Sequence, residues 1–434
     1  MTQATVPDTS LNDAAWRRIC GDTPLLAEIE TQGYSYINAK SLKTIGQREP
    51  RLMAKLDSLS DRPKVFEEHS LNILPSERGT YIVFRDVKNL SYYSMPSQVQ
   101  SVPPEQHISR VELESFDSIP KTSTYTEFQA IDVAYLSGLL TDFCAVGELQ
   151  LTTRGRMSSG EFDLVLPDIA HTVRIKNAQI EIDSAYEGSL GIPLIEAKTG
   201  FRADFNVRQL QYPYLFLSSV SQKKILPILL SYSNGQYQLS QFEVGDQFGA
   251  LSLVQQSYFV INEPSVVSVE LERLIRSIPV EPEPLDAPLP QANDLNKVID
   301  VICLIEQGVS ELQDITETLG VVERQAYYYG DAARYLGYVG AKRAITEDGI
   351  ALAREKSRLG RVLLLLRKML TRPVMRDSIL LLESRGFSID AIESDDLANI
   401  IRTHRTDLTG DTIVRRASTV RNWLRWLLTC CAFN

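Results

Sequence analysis

The sequence predicts an α/β fold with a mixed sheet, followed by an all-helical C-terminal region. Three observations carry this. The stretches Gln179-Ile-Glu-Ile-Asp-Ser and Pro193-Leu-Ile-Glu-Ala-Lys-Thr-Gly alternate polar and apolar side chains with period two, as half-buried strands do. Phe128, Ile131, Tyr135, Leu139 and Phe143 recur at helical spacing, so an amphipathic helix should pack on that sheet. Between Ser277 and Asp294 five prolines are interspersed with Glu281, Glu283 and Asp286, and beyond them the patterns are mainly helical.

Taken in order, residues 1–120 predict an α+β region, with a helix around 11–28 and a hairpin built on 80–84 and 90–93. Residues 1–8 have neither a basic nor an apolar leader segment, so no secretory signal is expected. The core, 121–277, holds the helix over 126–143 and strands at 149–154, 161–166, 179–183 and 193–198. A helix at 205–219 and a strand at 225–232 complete a strand–helix–strand step, which predicts a right-handed parallel crossover. Asn234-Gly235 suits a type I′ hairpin turn. Residues 278–293 read as an extended, semi-rigid linker. After it come helices at 295–306, 311–319 and 322–336, with Gly308 and Gly320 as stops. A hairpin-like segment (337–346) follows, and then a helix at 347–355 capped by Thr346.

Three helices, a wing and a helix resemble a winged-helix domain over 294–356. In that arrangement 322–336 is the recognition helix, offering Arg324, Gln325, Tyr328 and Arg334 to a major groove, with Lys342 and Arg343 on the wing. Tyr327, Tyr328 and Tyr329 span most of a helix circumference, so at least one belongs to the core. Residues 357–434 are helical and basic. Trp423 and Trp426 there read equally as a buried stripe and as support for phosphate contacts by Arg415, Arg416 and Arg421.

The chemistry concentrates in the two alternating strands. Glu181 and Asp183 share one face of the first, and Glu196 and Lys198 share one face of the second. Ile180, Ile182, Ile195 and Ala197 are expected together on the opposite face. Hard carboxylate oxygens suit Mg²⁺, which binds through one or two protein carboxylates with water and phosphate oxygens completing its shell. A lysine beside them can hold or deprotonate an attacking water and offset phosphate charge. An acid-x-Lys triplet alone is weak: Asp86-Val87-Lys88 is another, and Glu196 with Lys198 reads equally as an ion pair on the wet face of an edge strand. Context separates the two copies, because only the second follows a strand that closes on an acid.

That context resembles the PD-(D/E)XK nuclease superfamily, and more closely a group of type II restriction endonucleases. The blocks Gly46-Gln-Arg-Glu-Pro-Arg-Leu-Met-Ala-Lys, Asn72-Ile-Leu-Pro-Ser-Glu-Arg-Gly-Thr-Tyr, Arg154-Gly-Arg-Met-Ser-Ser-Gly, Phe205-Asn-Val-Arg-Gln-Leu-Gln-Tyr-Pro-Tyr and Arg324-Gln-Ala-Tyr-Tyr-Tyr-Gly-Asp are also similar to that group. One departure is Ile182, where the superfamily has proline before its first aspartate. The resemblance implies a restriction-endonuclease-like core in which Asp183, Glu196 and the backbone carbonyl of Ala197 ligate Mg²⁺. Lys198 positions the water, and Gln209 orients Lys198 or a phosphate. Glu127 and Glu187 are lesser candidates for a further ligand. Arg154 and Arg156 join the expected DNA contacts. The partner implied is double-stranded DNA, cut by a homodimer. Two alternatives stay open: a DNA-binding regulatory protein with a vestigial nuclease fold, and a structure-specific repair nuclease.

Composition bounds these readings. The 434 residues are 44% hydrophobic with no run of membrane-spanning length, which predicts a soluble protein. Five scattered cysteines without CxxC spacing suggest a reducing cytoplasm and neither a disulfide frame nor a zinc site. The four isolated histidines predict packing or surface roles. The net charge of −10 counts against a nucleic-acid partner, but it is unevenly spread. Residues 341–434 hold 17 Lys+Arg against 11 Asp+Glu, a local +6 that leaves −16 on the first 340. Phosphate binding needs local and not total positive charge.

Overall fold

In the computed structural model, which describes residues 8–96, 102–119 and 124–434, the alternating strands lie inside a seven-stranded mixed sheet. Its order is Glu105–His107, Leu251–Ile261, Gln236–Val244, Lys224–Ser233, Gly191–Thr199, Gln179–Glu187 and Gln150–Ser158. Gly191–Thr199 pairs in parallel with Lys224–Ser233, and the helix Arg208–Val220 makes the crossover. Its other neighbour, Gln179–Glu187, is antiparallel. Asn234 and Gly235 both have positive φ (47° and 78°) in the two-residue turn after Ser233, as a type I′ turn requires.

Helices cover both faces of this sheet. The expected helix over 126–143 is broken at Gly138 (φ +85°) into Glu127–Leu136 and Leu139–Cys144. Ile195 and Ala197 pack beneath this pair, together with Leu226, Ile228 and Leu230. Ile180 and Ile182 instead pack with Leu194, Val207 and Tyr212 in the core beneath Arg208–Val220. The single apolar face expected for these four residues is therefore corrected. A parallel-paired strand flanked by helices is buried on both sides, and Gly191–Thr199 is buried from Gly191 to Ala197.

A second sheet of five strands runs Tyr34–Asn38, Thr80–Arg85, Leu71–Glu77, His171–Lys176 and Glu161–Leu166. Thr80–Arg85 is thus paired with Leu71–Glu77 and Tyr34–Asn38, and the expected hairpin to 90–93 does not form. Asp86, 1% exposed, accepts the N–H groups of Leu90 and Ser91 and turns the chain away, so Tyr92–Ser94 pairs with Asp204–Asn206. The expected strand Glu161–Leu166 and a further one, His171–Lys176, cross from the region expected as the core into this sheet, and so join the N-terminal strands to it. The helix expected over 11–28 is two helices, Asp8–Asp22 and Leu25–Gln32. Residues 1–7, on which the expectation of no signal sequence rests, lie outside the described residues.

The C-terminal region is helical. Leu295–Glu306, Leu312–Leu319, Glu323–Tyr335 and Glu347–Arg354 fall where expected, with Asp294 and Thr346 as N-caps. The wing does not form a ribbon. Val339 and Ile345 make one isolated bridge around a single 3₁₀ turn, Ala341–Arg343. Helices Arg358–Thr371, Pro373–Ser384, Ser394–His404 and Asp411–Cys430 complete the region. Trp423 and Trp426 are buried in its core, their indole N–H groups donating to the Ala292 carbonyl and to Asn296 Oδ1.

The proline-rich segment is not a free spacer. Ala287, Leu289 and Ala292 are 1–2% exposed in the helical core, Glu281 pairs with Arg372, and Glu283 accepts from Tyr335 and from the Val374 N–H. It is extended, as its prolines dictate, but strapped across the helices. The two regions also share a buried polar junction. Asp300 accepts from the Ser233 hydroxyl and the Asn234 N–H, Asn234 Nδ2 donates to Asn296 (3.1 Å), and Arg361 Nε donates to Asn234 (2.8 Å). Among the described residues no helix is long and apolar enough to cross a membrane.

Candidate active site

The antiparallel register pairs Leu194 with Ala185 and Ile195 with Ser184. Glu196 and Lys198 follow Ile195 and Asp183 precedes Ser184, so the three lie where these two strands run side by side. Asp183 Oδ2 accepts the Ala197 N–H (2.9 Å), and Lys198 Nζ donates to Glu196 Oε1 (2.5 Å). All three side chains line one cleft of about 500 Å³, which residues of the N-terminal region also line. The ion pair between Glu196 and Lys198 therefore exists, but on an interior strand: their side chains are only 8% and 12% exposed.

Burial dominates the electrostatics. The Glu196 carboxyl is pushed up to about 8 by loss of solvent, with the charge of Asp183 adding to the rise and that of Lys198 opposing it. Asp183 is raised for the same first reason. Burial also disfavours the Lys198 ammonium, yet Glu196, Glu127, Asp57 and Asp183 together hold its proton on. Lys198 is thus a charged donor, and the surplus of negative charge falls on the carboxylates.

Gln209 lies in the first turn of Arg208–Val220 and lines the cleft, and its Oε1 is buried without a hydrogen-bond partner. Glu127, at the start of its helix, lines the cleft too. Glu187 does not: it pairs with Lys223 (2.7 Å) at the other end of its strand. Arg156 lines the cleft in an ion pair with Glu181. Arg154 is turned aside, pairing with Asp132 and lying over the Phe128 ring. Asp86, of the competing triplet, is committed to capping its turn.

Among the described residues no three His, Cys, Asp or Glu side chains are grouped to hold a metal ion. Two carboxylates in one cleft match what Mg²⁺ takes from protein, with water and phosphate oxygens supplying the rest. Sequence reasoning passed over several lining residues, among them Arg51, Asp57, Arg78 and Arg208. Three of these fall inside the blocks quoted for the resemblance, but nothing in the sequence brings those blocks together.

The expected reader residues are scattered. Arg324 lies over the Tyr328 ring and donates to its hydroxyl (2.6 Å), while Arg334 pairs with Asp286 of the strap. Arg343 lies over Tyr327 and donates to the Ser310 carbonyl, and Lys342 is exposed. Gln325 and Tyr328 line a second cavity of about 230 Å³, shared with Phe201 and Trp426. Tyr329 is the tyrosine that enters the core. Arg416 and Arg421 are spent on Gln291 and on the Ile389 and Ile392 carbonyls, which leaves Arg415 as the exposed one of the three expected phosphate contacts.

Three family models match the chain. Each is described as a domain of unknown function: DUF6996 over residues 13–83, DUF6997 over 88–260 and DUF7226 over 297–432. The middle match contains Asp183, Glu196 and Lys198, and the stretch between the second and third holds the strap. No curated protein and no solved structure matches the chain.

Proposed function

We propose that the chain is a Mg²⁺-dependent endonuclease that hydrolyses phosphodiester bonds of double-stranded DNA, with a restriction-endonuclease-like core of the PD-(D/E)XK kind. The observation that carries this reading is the convergence of Asp183, Glu196 and Lys198 from adjacent strands into one cleft. Asp183, Glu196 and the Ala197 carbonyl would hold the ion. When bound, Mg²⁺ offsets phosphate charge and lowers the pKa of water. The Lys198 ammonium orients the attacking water and donates to the phosphoryl oxygen on which charge builds. Gln209, with its unpartnered oxygen, accepts from that water or from Lys198. One P–O ester bond breaks as the bond to water oxygen forms; the proton that this water sheds passes to solvent, and the departing alkoxide takes one up from solvent.

Asp183→Ala, Glu196→Ala and Lys198→Ala should each abolish plasmid cleavage in Mg²⁺ while circular dichroism stays that of a folded chain. Retained cutting by the Glu196→Ala protein would sink the assignment. Duplex scission at a symmetric site is most simply met by a two-fold dimer, and sedimentation with and without DNA tests that.

A further inference from the structure

The cleft holds six cationic and six acidic side chains, and they are not all paired with one another. Lys198 pairs with Glu196, Arg156 with Glu181, and Lys55 with Asp57. Arg51, Arg78 and Arg208 line the same cleft with no hydrogen-bond or ion-pair partner among the described residues. They arrive from three separate places. Arg51 lies on the short helix Pro50–Met53. Arg78 is at the tip of the two-residue turn between Leu71–Glu77 and Thr80–Arg85, where Gly79 supplies the positive φ (+80°) that lets the strands close directly beneath it. Arg208 opens the helix that also carries Gln209. Most other arginines are committed: Arg17, Arg110, Arg174, Arg334, Arg372 and Arg405 all hold carboxylates. Three unpaired guanidiniums at one opening are therefore a selective feature of this cleft.

We propose that Arg51, Arg78 and Arg208 grip the phosphate backbone of the DNA duplex, so that the N-terminal region, through Arg51 and Arg78, forms one wall of the substrate cleft. The proposal rests on the nuclease reading for what happens to the DNA, but it concerns binding. Guanidinium forks match phosphate oxygens in pairs and stay charged at every working pH. The deep carboxylates would repel an acidic peptide laid across the opening, whereas a phosphodiester can meet the arginines and share a cation with Asp183 and Glu196. Backbone contacts then fall on the N-terminal region and on the helix Arg208–Val220, and not on the expected wing.

The test is binding of a fluorescent mixed-sequence duplex to the full-length protein in Ca²⁺, across a range of KCl concentrations, with plasmid cleavage in Mg²⁺ read separately. Each of Arg51→Ala, Arg78→Ala and Arg208→Ala should weaken binding and reduce the slope of log K against log salt by about one. Arg78→Lys should keep the slope and lose part of the affinity, because the charge stays and the fork goes. Poly-glutamate of equal charge should compete poorly. Unchanged slopes in the three alanine proteins, with the slope falling in Lys342→Ala, would overturn the proposal. So would poly-glutamate competing as well as duplex. Arginine-dependent binding without cleavage would uphold this cradle and count against the nuclease reading alone.

Discussion

Glu196 holds its carboxyl where solvent cannot reach it, and only Lys198 offsets the charge. Because its folded pKa, about 8, lies above the ordinary 4.5, the folded state binds this proton more tightly than the unfolded chain does. The stability this contributes is fully present below pH 4.5 and is lost as pH rises to about 8. Glu196→Gln keeps the shape without the titration. In excess chelator, the melting temperature of the variant should therefore gain on wild type between pH 4.5 and pH 8 and level off above that. A difference that stays flat across this window would mean that Glu196 is better solvated than its burial indicates. Metal should narrow the gap at high pH, since a cation bound to the ionised carboxylates stabilises the folded state alone.

At the scale of elements, two devices decide what the site can be. The first is the pairing of Gly191–Thr199 with Gln179–Glu187, which brings Glu196 and Lys198 beside Asp183, with Asp183 accepting the Ala197 N–H. A one-residue slip of Gly191–Thr199 would carry Glu196 to the opposite face, and the burial of that strand from Gly191 to Ala197 opposes it. The second is the strap. Leu289 is 1% exposed among the C-terminal helices, so Leu289→Ala should cost about 2–5 kcal/mol, as for other fully buried leucines. Urea unfolding measures this. A cost near zero would mean the strap lies on the surface as the extended, semi-rigid linker its prolines suggest. Limited proteolysis gives a parallel check: 278–293 should resist cleavage in the native protein despite its extended conformation.

The molecule as a whole is tied together at the junction of Ser233, Asn234, Asn296, Asp300 and Arg361, all buried. Removing one partner from such a set strands the others, at about 1–3 kcal/mol for each unsatisfied group. The core and the helical region should accordingly unfold together. Trp16 reports on the N-terminal region, and Trp423 and Trp426 on the helices. In the wild-type protein, tryptophan fluorescence and calorimetry should therefore follow one coincident transition, and Asp300→Ala should lower its midpoint. Two resolved transitions would show that the two regions fold independently. The same junction predicts that a chain ending near Asp286 is poorly folded, because Asn234 and Ser233 would be left without Asp300, Asn296 and Arg361.

What the sequence determined by itself is local. Period and capping placed Leu295–Glu306 and Glu347–Arg354 almost to the residue, Asn234-Gly235 marked its turn, and alternation put Asp183, Glu196 and Lys198 on two strands that prove to be neighbours. These signals depend on residues a few positions apart, where backbone geometry ties spacing to direction. Tertiary structure decided the rest. Glu161–Leu166 reads as a strand in the sequence, but which sheet it joins depends on His171–Lys176 and Leu71–Glu77. Arg154, Arg334 and Arg416 read as free cations, yet each has a partner from 22 to 125 positions away. Arg51, Arg78 and Arg208 looked no different in the sequence and were left without one. A sequence shows which side chains carry charge; only the fold shows which of them have already met it.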